Sequence, residues 1–366
     1  MTALVLYFLK LGTFGFGGPI ALAGYMQRNL VEERHWFSEQ EFLDGLALAQ
    51  LSPGPLAAQL AMYLGLLRGG YTGAVLIGGA FILPSFVMVL ALSFAYVRYG
   101  GLWMQSAFYG IGAAVIAIIA RSAVKLVKSA VRKDRLLWAI FLTLLISTAV
   151  TEREIVWLFV GGGLVALAIK GDWRKWLPKS QALFVVWPAL GSDSQFLTIL
   201  GFFAKASLFV FGSGLAIVPF LHGGVVQEHH WLTERQFLDA VAVAMITPGP
   251  VVITVAFIGY VVGGASGAIA AALGVFVPIL LIVLLLGPHF QRISARPELK
   301  AFVAGVTAAA TGAIAGAVIV LARRSIVDVW TAAIAALTFL ILLKWKVPEP
   351  VLIVAAGIIG FAVQSV

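Results

Sequence analysis

The sequence predicts an all-α polytopic membrane protein, with about ten transmembrane helices in two inverted repeats, each repeat carrying a re-entrant Pro-Gly-Pro helical hairpin. Three observations carry that expectation. Hydrophobic residues make up 61% of the chain and charged ones only 11%, against about 45–50% and about 25% in soluble domains. So large an apolar excess outruns the cores that 366 residues can build and needs lipid around it. A duplication also runs through the chain: KLGTFGFGGPIA from Lys10 returns as KASLFVFGSGLA from Lys205, and HWFSEQEFLDGLALAQLSPGP from His35 returns as HWLTERQFLDAVAVAMITPGP from His230, both at an offset of 195. Finally, each copy holds two short helical stretches joined by Pro-Gly-Pro.

Taken in order, apolar runs over about residues 2–30, 71–97, 102–120, 136–150 and 154–169 give the first half five crossings. Between the first two lies the interrupted unit. Ser38 with Glu41 forms a capping box, a helix follows to Leu51, Pro-Gly-Pro breaks it, and a second helix runs to Arg68; Thr233 with Gln236 repeats the cap. Each arm of about 14 residues is about 21 Å long, too short for a hydrocarbon core of about 30 Å. The unit therefore returns to its own side with its tip inside the membrane. Five crossings is an odd number, so the second half enters upside down. An offset of 194 pairs Gly65, Gly69, Gly70, Gly73 and Pro84 with Gly259, Gly263, Gly264, Gly267 and Pro278, which extends the repeat. The boundaries read as a first repeat over 1–169, a basic, Trp-rich interfacial linker over 170–195 and a second repeat over 196–366.

The 25 Lys and Arg against 16 Asp and Glu leave +9, which in such a chain speaks of topology and anionic lipids and not of nucleic acid. Residues 121–135 carry Arg121, Lys125, Lys128, Arg132, Lys133 and Arg135, and residues 170–179 carry Lys170, Arg174, Lys175 and Lys179. Both stretches are expected in the cytoplasm, with Glu152 outside; Lys300 and Lys344 fall inside and Arg323 and Arg324 outside. The first four cations step along one helix face, which suits anchoring to anionic lipid or a basic funnel that concentrates anions. The absence of cysteine removes disulfides and thiolate chemistry. No phosphate-binding glycine loop, no paired zinc histidines and no serine with a base are present, so neither an enzyme, a metal nor a cofactor is expected.

Candidate chemistry sits at the tips, Ser52-Pro53-Gly54-Pro55 and Thr247-Pro248-Gly249-Pro250. Proline tolerates a helix start and glycine a turn, so the following arms expose free N–H groups near Leu56 and Ala57, and near Val251 and Val252. Such ends carry about half a positive charge each and accept anions; a packed hairpin whose donors meet neighbouring carbonyls is the alternative. Lys10 and Lys205 lie about 14 Å into their crossings, where a charge costs about 2.5–3.5 kcal/mol, either serving an anion or snorkelling to the interface. Gly17 and Gly18, with Gly212 and Ser213 in the second copy, allow close packing or local unwinding beside a ligand. Asp44 and Asp239 lie about 10 Å before the tips. They would pair with the lysines or bind protons, coupling a solute to protons; bonding at a hairpin base is the structural alternative.

FGFGGP at Phe14, LAQLSPGPLAAQLA at Leu48, FILPS at Phe81, FGSGLAIVPF at Phe211 and ITPGPVVITVAFIGY at Ile246 resemble the chromate ion transporter family over nearly the whole chain. The resemblance implies a carrier in the inner membrane of a bacterial or archaeal cell that exports chromate, driven by the proton gradient, with sulfate as a structural mimic. On this reading Lys10 and Lys205 supply charge, Ser52 and Thr247 hydroxyl donors, and Gly54, Gly249 and the arm N-termini backbone donors. The rivals are an anion channel, a carrier for sulfate or another oxyanion, and a membrane enzyme that transports nothing. A homodimer is left open.

Overall fold

The computed structural model describes residues 1–366 apart from 17, 101, 153–155, 172–193, 209, 211–216, 291–295, 346 and 365–366. Every described element is helical. The first half comprises α1 (Thr2–Phe14), α2 (Gly18–Met26, widening into a π-helical stretch over Gln27–Glu33), α3 (Glu39–Leu51), α4 (Leu56–Tyr99), α5 (Leu102–Ala130), α6 (Arg135–Thr151) and α7 (Val156–Lys170). The second half repeats the order with α8 (Gln195–Ser207), α9 (Ile217–His222, widening over Gly223–Glu228), α10 (Glu234–Ile246), α11 (Thr254–Leu286), α12 (Pro297–Ser325), α13 (Val329–Lys344) and α14 (Glu349–Gln364). Most of the basic linker lies outside the described residues.

The apolar run read as one crossing over about 2–30 is two helices. α1 stops at Phe14, Gly15 is extended (φ −79°, ψ 108°), and α2 begins at Gly18 with φ +75°. Of the two readings of the glycine run, the local one is a break. The long α4 is likewise no single rod. Gly69 and Gly70 leave helical geometry (φ −144°, ψ 21°; φ 59°, ψ −151°), and Gly263 and Gly264 in α11 do the same (φ −139°, ψ 25°; φ 61°, ψ −152°). A Cβ on Gly65 would lie 2.4 Å from the Gly73 carbonyl oxygen. In a straight helix the two glycines would be about 12 Å apart, so the chain doubles back at the glycine pair, and residues 71–99 and 265–286 form separate helices.

Four described stretches, Leu56–Tyr99, Ser106–Ala130, Val251–His289 and Pro297–Ser325, are long and apolar enough to cross a membrane, and five shorter apolar helices accompany them. Their outward faces carry large apolar side chains: Trp157 is 79% exposed and Val329 81%. Such surfaces belong in lipid, where every backbone polar group is satisfied within the helices. The chain is thus an all-helical membrane protein.

The halves are interlaced. α5 packs on α13 and α14 of the second half, while α12 packs on α6 and α7 of the first. Backbones touch at both crossings: a Cβ on Gly110 would lie 2.0 Å from the Ala356 carbonyl oxygen, and one on Gly305 2.3 Å from that of Gly162. These are equivalent positions in the two copies, and such contacts supply the van der Waals packing that replaces the hydrophobic effect between helices in lipid. At one end of α12, Arg324 pairs with Glu152 of the first half and with Glu234 at the start of α10. Lys170 pairs with Asp134, which also caps α6 through the Leu136 and Leu137 N–H groups (3.0 and 3.3 Å). The Arg324–Glu152 and Lys170–Asp134 pairs each join segments expected from the charge pattern to share a side. Asp328 caps α13, and the backbone N–H of Thr331 holds its carboxyl below the usual carboxylate range.

The glycine reversal is testable on its own. Gly70 has open space for a methyl group, so Gly70→Ala meets only backbone strain, of about 1–3 kcal/mol. The thermal transition of the detergent-purified protein should fall, whereas Gly79→Ala, equally open but without a positive φ, should leave it unmoved.

Candidate functional site

The two hairpins are built as the capping pattern requires. Ser38 Oγ accepts the Glu41 N–H at 3.2 Å and Glu41 Oε2 accepts the Ser38 N–H at 2.7 Å; Thr233 and Gln236 repeat the exchange at 3.2 and 2.9 Å. α3 ends at Leu51 and the chain turns through Pro53-Gly54-Pro55, with Gly54 at φ +132°; α10 ends at Ile246 and turns through Pro248-Gly249-Pro250, with Gly249 at φ +98°. The arms fold back on each other, for a Cβ on Gly45 would meet the Tyr63 ring at 2.4 Å. The second tip differs in leading into a short 3₁₀ turn, Val251–Ile253, before α11.

Glu234, at the base of the second hairpin, pairs with Arg324 near the C-terminus of α12. Tyr63 and Leu66, on the second arm of the first, lie against Gly287. Each tip meets the other half. A Cβ on Gly249 would fall 1.9 Å from Ser85 Oγ, and one on Gly54 3.0 Å from Ile279 Cγ1. Ser85 and Ile279 are equivalent at the offset of 194 and follow the prolines midway along residues 71–99 and 265–286.

Each tip is held by the other half's broken first helix. The Gly54 N–H donates to the Val210 carbonyl at 2.6 Å, and the Gly249 N–H donates to the Gly15 carbonyl at 2.9 Å. Gly15 and Val210 are equivalent at the offset of 195, as are Gly54 and Gly249, so the bonds are reciprocal. Both carbonyls are available because α1 ends at Phe14 and α8 at Ser207. Ser85 strengthens one junction by donating to the Gly12 carbonyl at 3.2 Å.

The next donors along the chain face differently. The Ala58 and Gln59 N–H groups reach the Pro55 carbonyl at 3.0 and 3.1 Å, and the Ile253 N–H reaches that of Pro250 at 2.9 Å. Among the described residues no backbone acceptor meets the N–H groups of Leu56, Ala57, Val251 or Val252, and all four residues are buried. Two helix starts thus place donors with no described backbone acceptor, and their partial positive charge, deep in the molecule.

The other expected site residues lie on α1, α2, α3, α8 and α10 and at the tips. Ser52 Oγ donates to the Leu48 carbonyl at 2.6 Å and Thr247 Oγ1 to that of Val243 at 2.7 Å, so both hydroxyl hydrogens are engaged in the preceding turn. Lys10 lies on an exposed stripe of α1 with Leu6 and Phe14, and Lys205 on one of α8 with Leu197 and Leu208. Among the described residues no ion pair joins Asp239 to Lys10 or Lys205. Asp239 is buried and accepts the Tyr96 hydroxyl at 2.7 Å, while Asp44 is half-buried and accepts from Gln40 Nε2 at 2.8 Å. The position equivalent to Tyr96 at the offset of 194 is Phe290, which has no hydroxyl to offer. Gly18 is the described member of its glycine group, with φ +75° and no atom near where a Cβ would stand; Gly17, Gly212 and Ser213 lie outside the described residues. Among the described residues no cluster of three or more metal-ligating side chains occurs.

Gln59, Ser85 and Tyr96 enter the site without having been singled out in the sequence. The available signal was a polar residue inside a run otherwise apolar, as in LAAQLAMYL around Gln59.

Two expectations follow from these contacts. Tyr96→Phe should leave a buried carboxylate short of a donor and cost about 1–3 kcal/mol; in a double-mutant cycle with Asp239→Asn, thermal unfolding should show coupling between the two. Gly249→Ala should drive a methyl into Ser85 Oγ at a positive φ, lowering folded yield, with partial recovery when combined with Ser85→Ala, as gel filtration of solubilised protein would show.

A family model described as "Chromate transporter" matches residues 2–167 and 197–361. A "Chromate transport protein" of Cupriavidus metallidurans is 56% identical over 98% of this chain and 92% of its own length. A "Probable chromate transport protein" of Synechococcus elongatus is 52% identical over 97% and 93%, and a "Chromate transport protein" of Pseudomonas aeruginosa 33% over 97% and 91%. No solved structure matches the chain.

Proposed function

The chain belongs to the chromate transporter family, and from that premise we propose that it is a secondary active transporter that exports chromate or a related tetrahedral oxyanion across the inner membrane, coupled to protons. In this reading about ten helices cross the bilayer, the halves are inverted, and the Pro-Gly-Pro hairpins are re-entrant from opposite faces. The observation that carries the proposal is the pair of buried helix starts at Leu56–Ala57 and Val251–Val252, whose N–H groups meet no described backbone acceptor between the broken first helices. An oxyanion there completes donors that the fold leaves open, as helix N-termini do for anions elsewhere.

Alternating access then has a physical element to act on. The reciprocal bonds Gly54–Val210 and Gly249–Gly15 tie each hairpin tip to the opposite half, so releasing one junction at a time would open the site toward one side while the other stays shut. Lys10 and Lys205, exposed beside these junctions, attract the anion to the approaches, and Asp44 and Asp239 exchange the coupled protons.

Proteoliposomes with an imposed pH difference test this directly. Labelled chromate should accumulate against its own gradient, and collapse of the pH difference should abolish accumulation; a channel would equilibrate the label without concentrating it. Lys10→Ala and Lys205→Ala should each slow flux by about tenfold or more at low salt, with folding intact, and undiminished flux in both would remove the lysines from the path.

A further inference from the structure

A chain of polar contacts at the base of the second hairpin joins four elements and both halves. Glu152, in the turn after α6, pairs with Arg324 in the last turn of α12. Arg324 also pairs with Glu234 in the first turn of α10, and Glu234 Oε2 lies 2.6 Å from His222 Nε2 at the end of α9. With an arginine on its other oxygen Glu234 is an ionised acceptor, so the imidazole nitrogen that faces it carries the hydrogen and donates. Glu152, Glu234 and Arg324 are between 32% and 39% exposed. His222 is only 3% exposed, and the Phe237 ring lies 5.3 Å from its own. The cluster therefore runs from the surface of the protein to a sealed imidazole.

This seam differs in kind from the others that join the halves. Gly110 on Ala356 and Gly305 on Gly162 set backbone against backbone, and such contacts lose their packing outright when they part. Partly exposed ion pairs exchange with water at little cost, which lets them break and re-form between two arrangements. The seam is also confined to one hairpin. At the offset of 195 the positions of His222, Glu234 and Arg324 hold Gln27, Glu39 and Ser129, and among the described residues Glu39 forms no ion pair. Resting on the transport reading above, we propose that His222, Glu234, Arg324 and Glu152 form an ionic lock over the second hairpin, closed in this structure and parted once in each transport cycle to admit water from one side. Glu152 and Arg324 belong to the side that the charge pattern gives to the outside, so in an exporter the lock stands at the exit.

The unmodified protein in proteoliposomes tests the lock through His222 itself. Diethyl pyrocarbonate acylates an imidazole that water reaches, and mass spectrometry of the peptides locates the adduct. At rest His222 should react about tenfold or more slowly than the exposed His35. Its reaction should accelerate about tenfold while chromate moves under an imposed pH difference, at the same external pH. Arg324→Gln, which takes the shared cation from both carboxylates, should raise His222 labelling about tenfold with neither substrate nor gradient. Because the chain has no cysteine, Glu234→Cys with Arg324→Cys offers a single thiol pair to a reducible bis-methanethiosulfonate cross-linker. Cross-linking should stop flux and reduction restore it, whereas the same treatment of Asp134→Cys with Lys170→Cys, an ion pair within the first half, should leave flux unchanged. Equal His222 labelling at rest and during flux overturns the proposal whether or not any variant folds. So does unchanged labelling in a folded Arg324→Gln protein, or full flux in the cross-linked Glu234→Cys, Arg324→Cys protein, the results expected of a cluster that is merely structural. Absence of chromate flux in the unmodified protein would instead overturn the broader transport reading, while the Arg324→Gln labelling, which needs no flux, still reads the lock.

Discussion

The structure depends on one constraint: backbone hydrogen-bonding groups that have left a helix inside a membrane protein must find partners within the protein. α1 and α8 break near Gly15 and Val210, and the hairpins break at Gly54 and Gly249. Each break exposes groups that lipid cannot satisfy. The fold resolves this by crossing the halves, so that the tip glycine of one hairpin donates to the broken helix of the other repeat. Neither half can satisfy its own breaks, which makes the duplicated chain a single unit.

The same logic explains the interlaced packing. Tips that reach into the opposite half require α4 and α11 to face each other, and the long α5 and α12 then rest on the short helix pairs of the partner repeat. Small residues at Gly110, Gly305, Gly162 and Ala356 let those backbones approach. The glycine reversals at Gly69–Gly70 and Gly263–Gly264 return the second hairpin arms into full-length helices without a loop, keeping polar backbone out of the surrounding lipid.

Symmetry is followed closely in the backbone and loosely in the side chains. The paired reversals agree to within 5° and the paired tip bonds to within 0.3 Å, while the tip glycines differ by 34° in φ. The polar groups around them do not match: Tyr96 faces Asp239 where the other copy has Phe290, and Gln59 stands where the other has Thr254. The duplicated backbone supplies two similar frames, and divergence of a few side chains gives each frame its own polar contacts.

Much was legible before any coordinates. Composition dictated a lipid solvent, and repeated Pro-Gly-Pro and capping-box residues located the hairpins, because a turn and a helix start are local backbone requirements that particular residue types meet. The partners were not legible. That the Gly54 N–H would find Val210, or that Asp239 would turn to Tyr96, depends on residues far apart in sequence brought within 3 Å. Local chemistry determines where a chain must break; only tertiary packing decides which distant group answers the break, because a hydrogen bond is specified by position in space and not by residue type.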